Sequence, residues 1–170
     1  MTGAPTSTIE RAGAFLPLLR DGDRFSHLTA AELLGMRLPA RVRSPRLHVT
    51  SPAPRRAPQV AGVVGHQSGR SAIHDLAGMP VSPPVTAWLE CAALLTLDEL
   101  VVLGDGLVRR FAPMCTPDEL GAAVRAHRGR RGHRALQAAL ELIAEHHLFP
   151  VGLNRLRIIV PSAPARGCPE

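Results

Sequence analysis

The chain has 170 residues, and all 20 of its basic residues are arginines, which with 14 carboxylates gives a formal net charge of +6. This length suits one compact domain, and a hydrophobic fraction of 45% is enough to bury a core, so global disorder is excluded. Three widely separated cysteines argue against a disulfide framework, and the scarcity of aromatic residues argues against a platform that stacks nucleic-acid bases.

The first strong helix signal is Thr29-Ala-Ala-Glu32, which has the spacing of a capping box. In such a box the hydroxyl and the carboxylate three residues later each accept a hydrogen bond from a backbone amide. We therefore expect a helix from Thr29 to Met36 that ends near Gly35. Residues 1–23 are expected to form a flexible or helical N-terminal segment, and residues 24–147 a single α+β domain.

Two β-type runs follow, Leu47 to Thr50 and Val60 to His66, on either side of a loop rich in proline and arginine. Two short runs around such a loop predict a β-hairpin. The next stretch, "SAIHDLAGMPVS", predicts one or two further short strands. The sheet is therefore expected to be small and antiparallel, covering about residues 46–81.

The C-terminal half is predicted to be helical. A pair of prolines opens a helix whose apolar positions share one stripe: Val85, Trp88, Leu89, Ala92 and Leu95. Thr96 and Thr116 each begin another capping box. Three further helices are expected, from Leu97 to Arg110, from Pro117 to Arg128 and from His133 to about His147. The fold class is therefore α+β, with a helical half of about residues 83–147 and a poorly ordered Pro/Ala-rich tail of residues 148–170.

Charge is sorted along the chain. Residues 33–74 contain seven arginines and no carboxylate, residues 75–124 contain seven carboxylates and two arginines, and residues 125–134 contain five arginines. One interpretation is that the basic segments face nucleic acid, where neutralised phosphates release counterions. The other is that they face acidic helices of this chain or of a partner protein.

The decapeptide "RAHRGRRGHR", residues 125–134, joins two predicted helices. Arg125 and Arg128 lie in a last helical turn, where cations are favourable, whereas Arg130, Arg131 and Arg134 lie at a helix start, where they are not. A bound anion would stabilise these three, as would acids of the fold such as Asp118 and Glu119. The candidate nucleic-acid contacts are the decapeptide arginines and a second patch: Arg125, Arg128, Arg130, Arg131, Arg134, Arg41, Arg43, Arg55 and Arg56.

No metal or cofactor site is predicted. His146 and His147 are adjacent and point to different faces of a helix, so they do not chelate together. His27 and His48 are interpreted as cap or strand residues. Ser26-His27 and His74-Asp75 have catalytic residue types, but adjacency in sequence is not the geometry of a triad.

Several separate pieces resemble an actinobacterial family related to AbiEi-type antitoxins of abortive-infection systems, whose members often carry a C-terminal domain similar to very-short-patch-repair endonucleases. These pieces are Ser26-His27 to Ala31, His48-Val49-Thr50, Gly78 to Ala92, Asp105, and Gly129 to Gly132. The resemblance covers about residues 24–143. It implies a module that normally follows a winged helix-turn-helix, for which residues 1–23 are too few.

The nuclease part of that family is not matched. The nuclease part of those members normally begins with Ser-Pro-x-Glu-Thr-Arg-Leu-Arg. This chain reads "FPVGLNRLRIIV" instead, and from His146 onwards its only carboxylate is Glu170. Several carboxylates are needed to hold the divalent ion of such a nuclease, so no enzymatic activity is expected.

We therefore expect a non-catalytic, DNA-associated regulatory module. The alternatives are an antitoxin-like protein-interaction fragment and an inactive, truncated remnant. No signal peptide or apolar span is visible, so a cytoplasmic protein without membrane contact is expected.

Overall fold

An open, mixed sheet of five strands lies beside six α-helices in the residues that the computed structural model describes, 7–109 and 111–148. The strands are β1 (Arg24–Phe25), β2 (Leu47–Pro52), β3 (Val63–Ser68), β4 (His74–Leu76) and β5 (Met79–Val81). Their order across the sheet is β3-β2-β1-β5-β4. The expected α+β fold class is confirmed.

The pairing of the strands differs from the expectation. β1 is antiparallel to β2 and β4 to β5, but β2 runs parallel to β3 and β1 parallel to β5. The predicted hairpin between β2 and β3 is therefore wrong, and the sheet is mixed rather than antiparallel. It also includes Arg24 and Phe25, which lie outside the range expected for the sheet.

The loop between β2 and β3 explains the parallel pairing. Its ten residues, 53–62, lead the chain back so that β3 runs in the same direction as β2. On the way the loop crosses β3 at Gly65, where a Cβ atom would lie 2.0 Å from the Pro58 carbonyl oxygen. Only a residue without a side chain permits this crossing. A proline-rich loop of this length is thus a crossover connection, not a tight turn.

The helices are α1 (Thr8–Phe15), α2 (His27–Leu33), α3 (Pro84–Cys91), α4 (Leu97–Val108), α5 (Pro117–Ala126) and α6 (His133–Leu148). The capping boxes at Thr96 and Thr116 are confirmed, and so are the four helices expected in the C-terminal half. α1 lies within the N-terminal segment and begins with a capping box between Ser7 and Glu10 that the sequence analysis did not identify.

α2 begins two residues earlier than expected, and the predicted capping box at Thr29 is wrong. Ser26 occupies the N-cap position, and Thr29 lies inside the helix, where its hydroxyl accepts a hydrogen bond from the His48 amide at 2.8 Å. The His27 amide at the helix start donates to the Glu90 carboxylate at 3.1 Å. Thr29 therefore ties α2 to the sheet, while an acid distant in sequence caps the helix.

Two apolar cores hold the layers together. One lies against the sheet and contains Phe25, Val49 and Val81, and the other lies among the helices around Trp88 and Leu100. α2 contributes to both, since Ala30 packs against the sheet core and Ala31 packs into the helical core. The buried Trp88 indole donates to the Leu100 carbonyl at 2.9 Å, which joins α3 to α4. α2 and α3 thus connect the sheet to the helical half.

In the part of the chain that the structure describes, no helix combines the length and apolar character needed to cross a membrane. The expected tail, residues 148–170, lies outside the described residues except for Leu148.

Candidate functional site

A polar cleft of about 370 Å³ lies where β3, α3 and the turn between α5 and α6 meet. Its charged and titratable lining residues are His27, His66, Arg70, Glu90, His127, Arg130 and Arg131. The cleft therefore brings two arginines of the decapeptide together with residues from the sheet and from α3.

The turn between α5 and α6 positions these two arginines. Arg130 and Arg131 lie between Gly129 and Gly132, whose φ values of 78° and 83° belong to the left-handed region that favours glycine. At Gly132 a Cβ atom would also lie 2.6 Å from the Ala92 Cβ, so the turn packs closely on the residue after α3. The Gly-Arg-Arg-Gly sequence is thus a tight turn that holds two arginines at the edge of the cleft.

His127 fixes this turn to Arg70. Its Nδ1 accepts a hydrogen bond from the Arg70 guanidinium at 3.1 Å, and its Nε2 donates to the Arg131 carbonyl at 3.0 Å. One nitrogen accepts and the other donates, which is the pattern of a neutral imidazole. Burial lowers the pKa of His127 and favours the same neutral state. Arg70 is consequently held in place before any ligand binds.

Positive charge accumulates in the cleft. Arg130 and Arg131 are exposed, and among the described residues no carboxylate lies within ion-pair distance of either. Burial lowers the pKa of Arg70, and the nearby positive charge of Arg130 lowers it further. Glu119 was considered as an acid that could neutralise the decapeptide arginines. Its carboxylate instead accepts a hydrogen bond from the Thr116 amide at 2.8 Å.

The remaining predicted arginines lie outside the cleft. Arg41 forms an ion pair with Glu99, and Arg55 donates to the Asp21 carbonyl at 2.6 Å and lies 3.6 Å from the Asp23 carboxylate. The second patch is therefore partly neutralised by the chain itself. The other candidate arginines, from the second patch and from the decapeptide, are exposed and do not line the cleft: Arg43, Arg56, Arg125, Arg128 and Arg134.

Three histidines from different elements meet beside the cleft. His48 Nδ1 lies 3.0 Å from His66 Nε2, and the His27 ring stacks on the His66 ring at a centroid distance of 3.7 Å. One nitrogen of each histidine lies within 4.8 Å of the others. Parallel register explains the meeting of two of them, because His66 pairs with Thr50, two residues after His48 and on the same face of β2.

The histidine cluster is electrostatically unsuited to protonation. Burial, followed by the charges of His66, His48 and Arg24, lowers the pKa of His27 to about 2. Burial and the neighbouring His66 and Arg46 lower the pKa of His48 to about 4, and burial lowers that of His66. At neutral pH the three rings are therefore neutral.

Glu90 is the carboxylate of the cleft, and its two oxygens already have partners. One accepts from the Arg24 guanidinium at 3.2 Å, and the other accepts from the His27 amide at 3.1 Å. The Arg24 side chain is completely buried and donates a second hydrogen bond to Ser82 at 3.0 Å. Within the described residues, the Arg24 Nη1 atom is buried without a hydrogen-bond partner. Glu90 thus compensates a buried charge and leaves the exposed arginines unneutralised.

Ser26 and His27 do not have the arrangement of a catalytic triad. Ser26 is completely buried, its hydroxyl lies 3.0 Å from His27 Nδ1, and Glu90 lies 3.8 Å from the same nitrogen. In a triad the serine and the acid contact opposite nitrogens of the imidazole. The contacts therefore match an orienting network around His27 rather than an activated serine.

Sequence reasoning identified Arg130 and Arg131 but missed Arg70, Glu90 and the meeting of the three histidines. The available signal was that His48 and His66 each lie on a predicted strand. The assumed hairpin concealed their proximity, because only the parallel register places them side by side. No family model matches the chain, and no curated protein or solved structure shows significant similarity to it.

Proposed function

We propose that the protein is a non-catalytic, DNA-associated regulatory module of the AbiEi-like kind, which binds the phosphate backbone of DNA in this cleft. The observation that carries the proposal is the exposure of Arg130 and Arg131 with no described carboxylate within ion-pair distance. A guanidinium group offers a planar pair of donors that matches two phosphate oxygens.

Arg70 strengthens the case for an anion. Its side chain is already oriented by His127, so binding does not require it to lose much conformational freedom. An anion between Arg70 and Arg130 would also relieve the repulsion of two like charges. The three arginines therefore form a partly preorganised phosphate site.

Contacts of this kind position a protein on nucleic acid without selecting a sequence. No Phe, Tyr or Trp is among the described residues that line the cleft, so base stacking has no platform there. We therefore expect similar affinity for unrelated duplexes and a strong dependence on salt.

The decisive variant is Arg130→Ala/Arg131→Ala, tested with mixed-sequence duplex DNA by fluorescence anisotropy over a series of salt concentrations. We expect a loss of affinity of about tenfold or more at low salt, equivalent to roughly 1.4 kcal/mol. The slope of log K against log salt should become shallower by about 1–2, since each lost phosphate contact changes it by about 0.9.

A matched control is Arg37→Ala/Arg109→Ala, which removes the same charge from two exposed positions outside both the cleft and the second arginine patch. It should retain most of the affinity. Equal losses of affinity in both double variants would mean that the overall positive charge, not the cleft, binds DNA, and would reject the site.

A second experiment tests the absence of catalysis. Duplex DNA incubated with the protein and magnesium or manganese should remain intact. Cleavage that a substitution in the cleft abolishes would contradict the non-catalytic assignment.

A further inference from the structure

We propose that His27, His48 and His66 form a binding site for a divalent transition-metal ion of the zinc type. Three imidazoles from α2, β2 and β3 converge there, each offering one nitrogen within 4.8 Å of the other two. The inference concerns side chains that the phosphate contacts of the proposed function do not require.

The distances suit a small ion, and coordination requires the His27 ring to turn out of its stack on the His66 ring. Zinc binds histidine nitrogens at about 2.0–2.1 Å, so two ligand nitrogens of a tetrahedral site lie roughly 3.3 Å apart. His48 Nδ1 and His66 Nε2 are 3.0 Å apart and face one another. Two neutral imidazoles in this position share a single hydrogen. After both rings turn slightly, an ion to one side of the line between the two nitrogens would bind both.

The third ligand is prepared by its surroundings. His27 Nδ1 lies 3.0 Å from the Ser26 hydroxyl and 3.8 Å from the Glu90 carboxylate, which leaves Nε2 to coordinate. An oxygen partner on the second nitrogen is the usual way in which proteins orient a metal-binding histidine. The His27 backbone has a φ of 51°, in the left-handed region, and the hydrogen bond from its amide to Glu90 holds it there. The network therefore holds His27 beside the other two histidines, and a turn of its ring out of the stack on His66 completes the set.

The chemistry of the ligands selects the class of ion. Imidazole nitrogens favour zinc, copper and nickel, whereas magnesium and calcium prefer oxygen ligands. Three protein ligands leave a fourth position, and because His27 and His66 also line the cleft, that position opens towards it. Water or an anionic oxygen is the ligand that such a position takes. The metal site therefore lies directly beside the arginines of the cleft.

The test is zinc binding by the full chain after treatment with EDTA and removal of the chelator. Isothermal titration and elemental analysis after dialysis should give one zinc per chain, and magnesium should not compete. His66→Ala is the informative variant, because His66 is only half-buried and its loss removes one ligand without opening the core. We expect its zinc affinity to fall by about 100-fold or more, since loss of even a residue that only orients a metal ligand costs about 10–100-fold.

His74→Ala is the matched control, since His74 is an exposed histidine on β4. It should bind zinc as the unmodified chain does, and circular dichroism should show that both variants are folded. Titration with cobalt gives a second readout, because coordination by three nitrogens produces visible absorption that His66→Ala should abolish. Absence of stoichiometric zinc in the unmodified protein, or unchanged affinity in folded His66→Ala, would overturn the proposal. Arg130→Ala/Arg131→Ala should retain zinc, so the metal site and the DNA site can fail separately.

Discussion

Glu90 is the residue through which the buried polar contacts of the site are connected. Its carboxylate compensates the fully buried Arg24 and also accepts the amide hydrogen of His27 at the start of α2. A buried charge is tolerated only when it is paired, and removal of one partner leaves the other uncompensated. Glu90 is therefore expected to contribute more to stability than an ordinary surface acid.

We predict that Glu90→Ala lowers the free energy of unfolding by about 3–5 kcal/mol, because Arg24 would remain buried without its counter-charge. Urea denaturation followed by circular dichroism measures the change. Glu141→Ala removes an exposed carboxylate from α6 and should change the stability by less than about 0.5 kcal/mol. Equal stability of the two variants would show that Arg24 finds other compensation.

Sequence reasoning at this scale succeeded where a signal was local. Thr96 and Thr116 cap helices through a glutamate three residues later, and both boxes are present as predicted. Thr29 has the same spacing, but its hydroxyl accepts the amide of His48, a residue on another element. The predicted capping box at Thr29 is therefore wrong, because a tertiary hydrogen bond from another element occupies the hydroxyl that a local cap would need.

At the scale of elements, the crossover between β2 and β3 decides which side chains meet. The helices of the C-terminal half were predictable because their periodicity and caps are local properties. Strand direction depends on where the connecting loop packs, which periodicity does not encode. A hairpin would have reversed β3 and changed the register that brings His66 next to His48.

We predict that Gly65→Ala destabilises the fold by roughly 1–3 kcal/mol or more, since the added Cβ would lie 2.0 Å from the Pro58 carbonyl oxygen. The matched change Gly69→Ala lies in the same region, where a Cβ would have no neighbour within 4 Å, and should be nearly neutral. Thermal unfolding compares the two. Hydrogen exchange should locate the effect of Gly65→Ala in β2 and β3; a neutral result would mean that the loop does not cross the strand at this point.

At the scale of the whole molecule, some arginines of the basic segments are neutralised by carboxylates of the chain, and others are not. Arg41 of the first basic segment pairs with Glu99 of the acidic segment, as the intramolecular interpretation expects. Arg130 and Arg131 of the decapeptide have no such partner among the described carboxylates. Composition predicted the excess of positive charge, but only the fold separates arginines that the chain neutralises from those that it leaves at the cleft.

The neutral histidine cluster makes the stability of the whole molecule depend on pH in a defined direction. Burial and the neighbouring charges lower the pKa of His27 to about 2 and that of His48 to about 4, whereas both are near 6.5 in an unfolded chain. Below pH 6.5 the unfolded state therefore binds protons that the folded state does not. The contribution of these two histidines to the free energy of unfolding is therefore fully present above this pH and decreases as the pH falls towards 4.

We predict that, with EDTA present to exclude metal, the free energy of unfolding decreases between pH 6.5 and 4.5 by up to about 1.4 kcal/mol per pH unit for each of these two histidines. Asp23 does not account for the decrease in this pH range. Its burial raises its pKa, but hydrogen bonds from Ser51 and Arg20 outweigh burial and lower the pKa below 3.8, so its contribution to stability is lost only at lower pH.

His27→Asn removes one of the two histidines, and asparagine tolerates the φ of 51° at this position. The variant should therefore lose about half of the decrease in the free energy of unfolding between pH 6.5 and 4.5. His74→Asn at an exposed position should not. Urea titrations at four pH values measure these slopes, and a profile of the unmodified protein that stays level from pH 6.5 to 4.5 would show that the cluster accepts protons while folded.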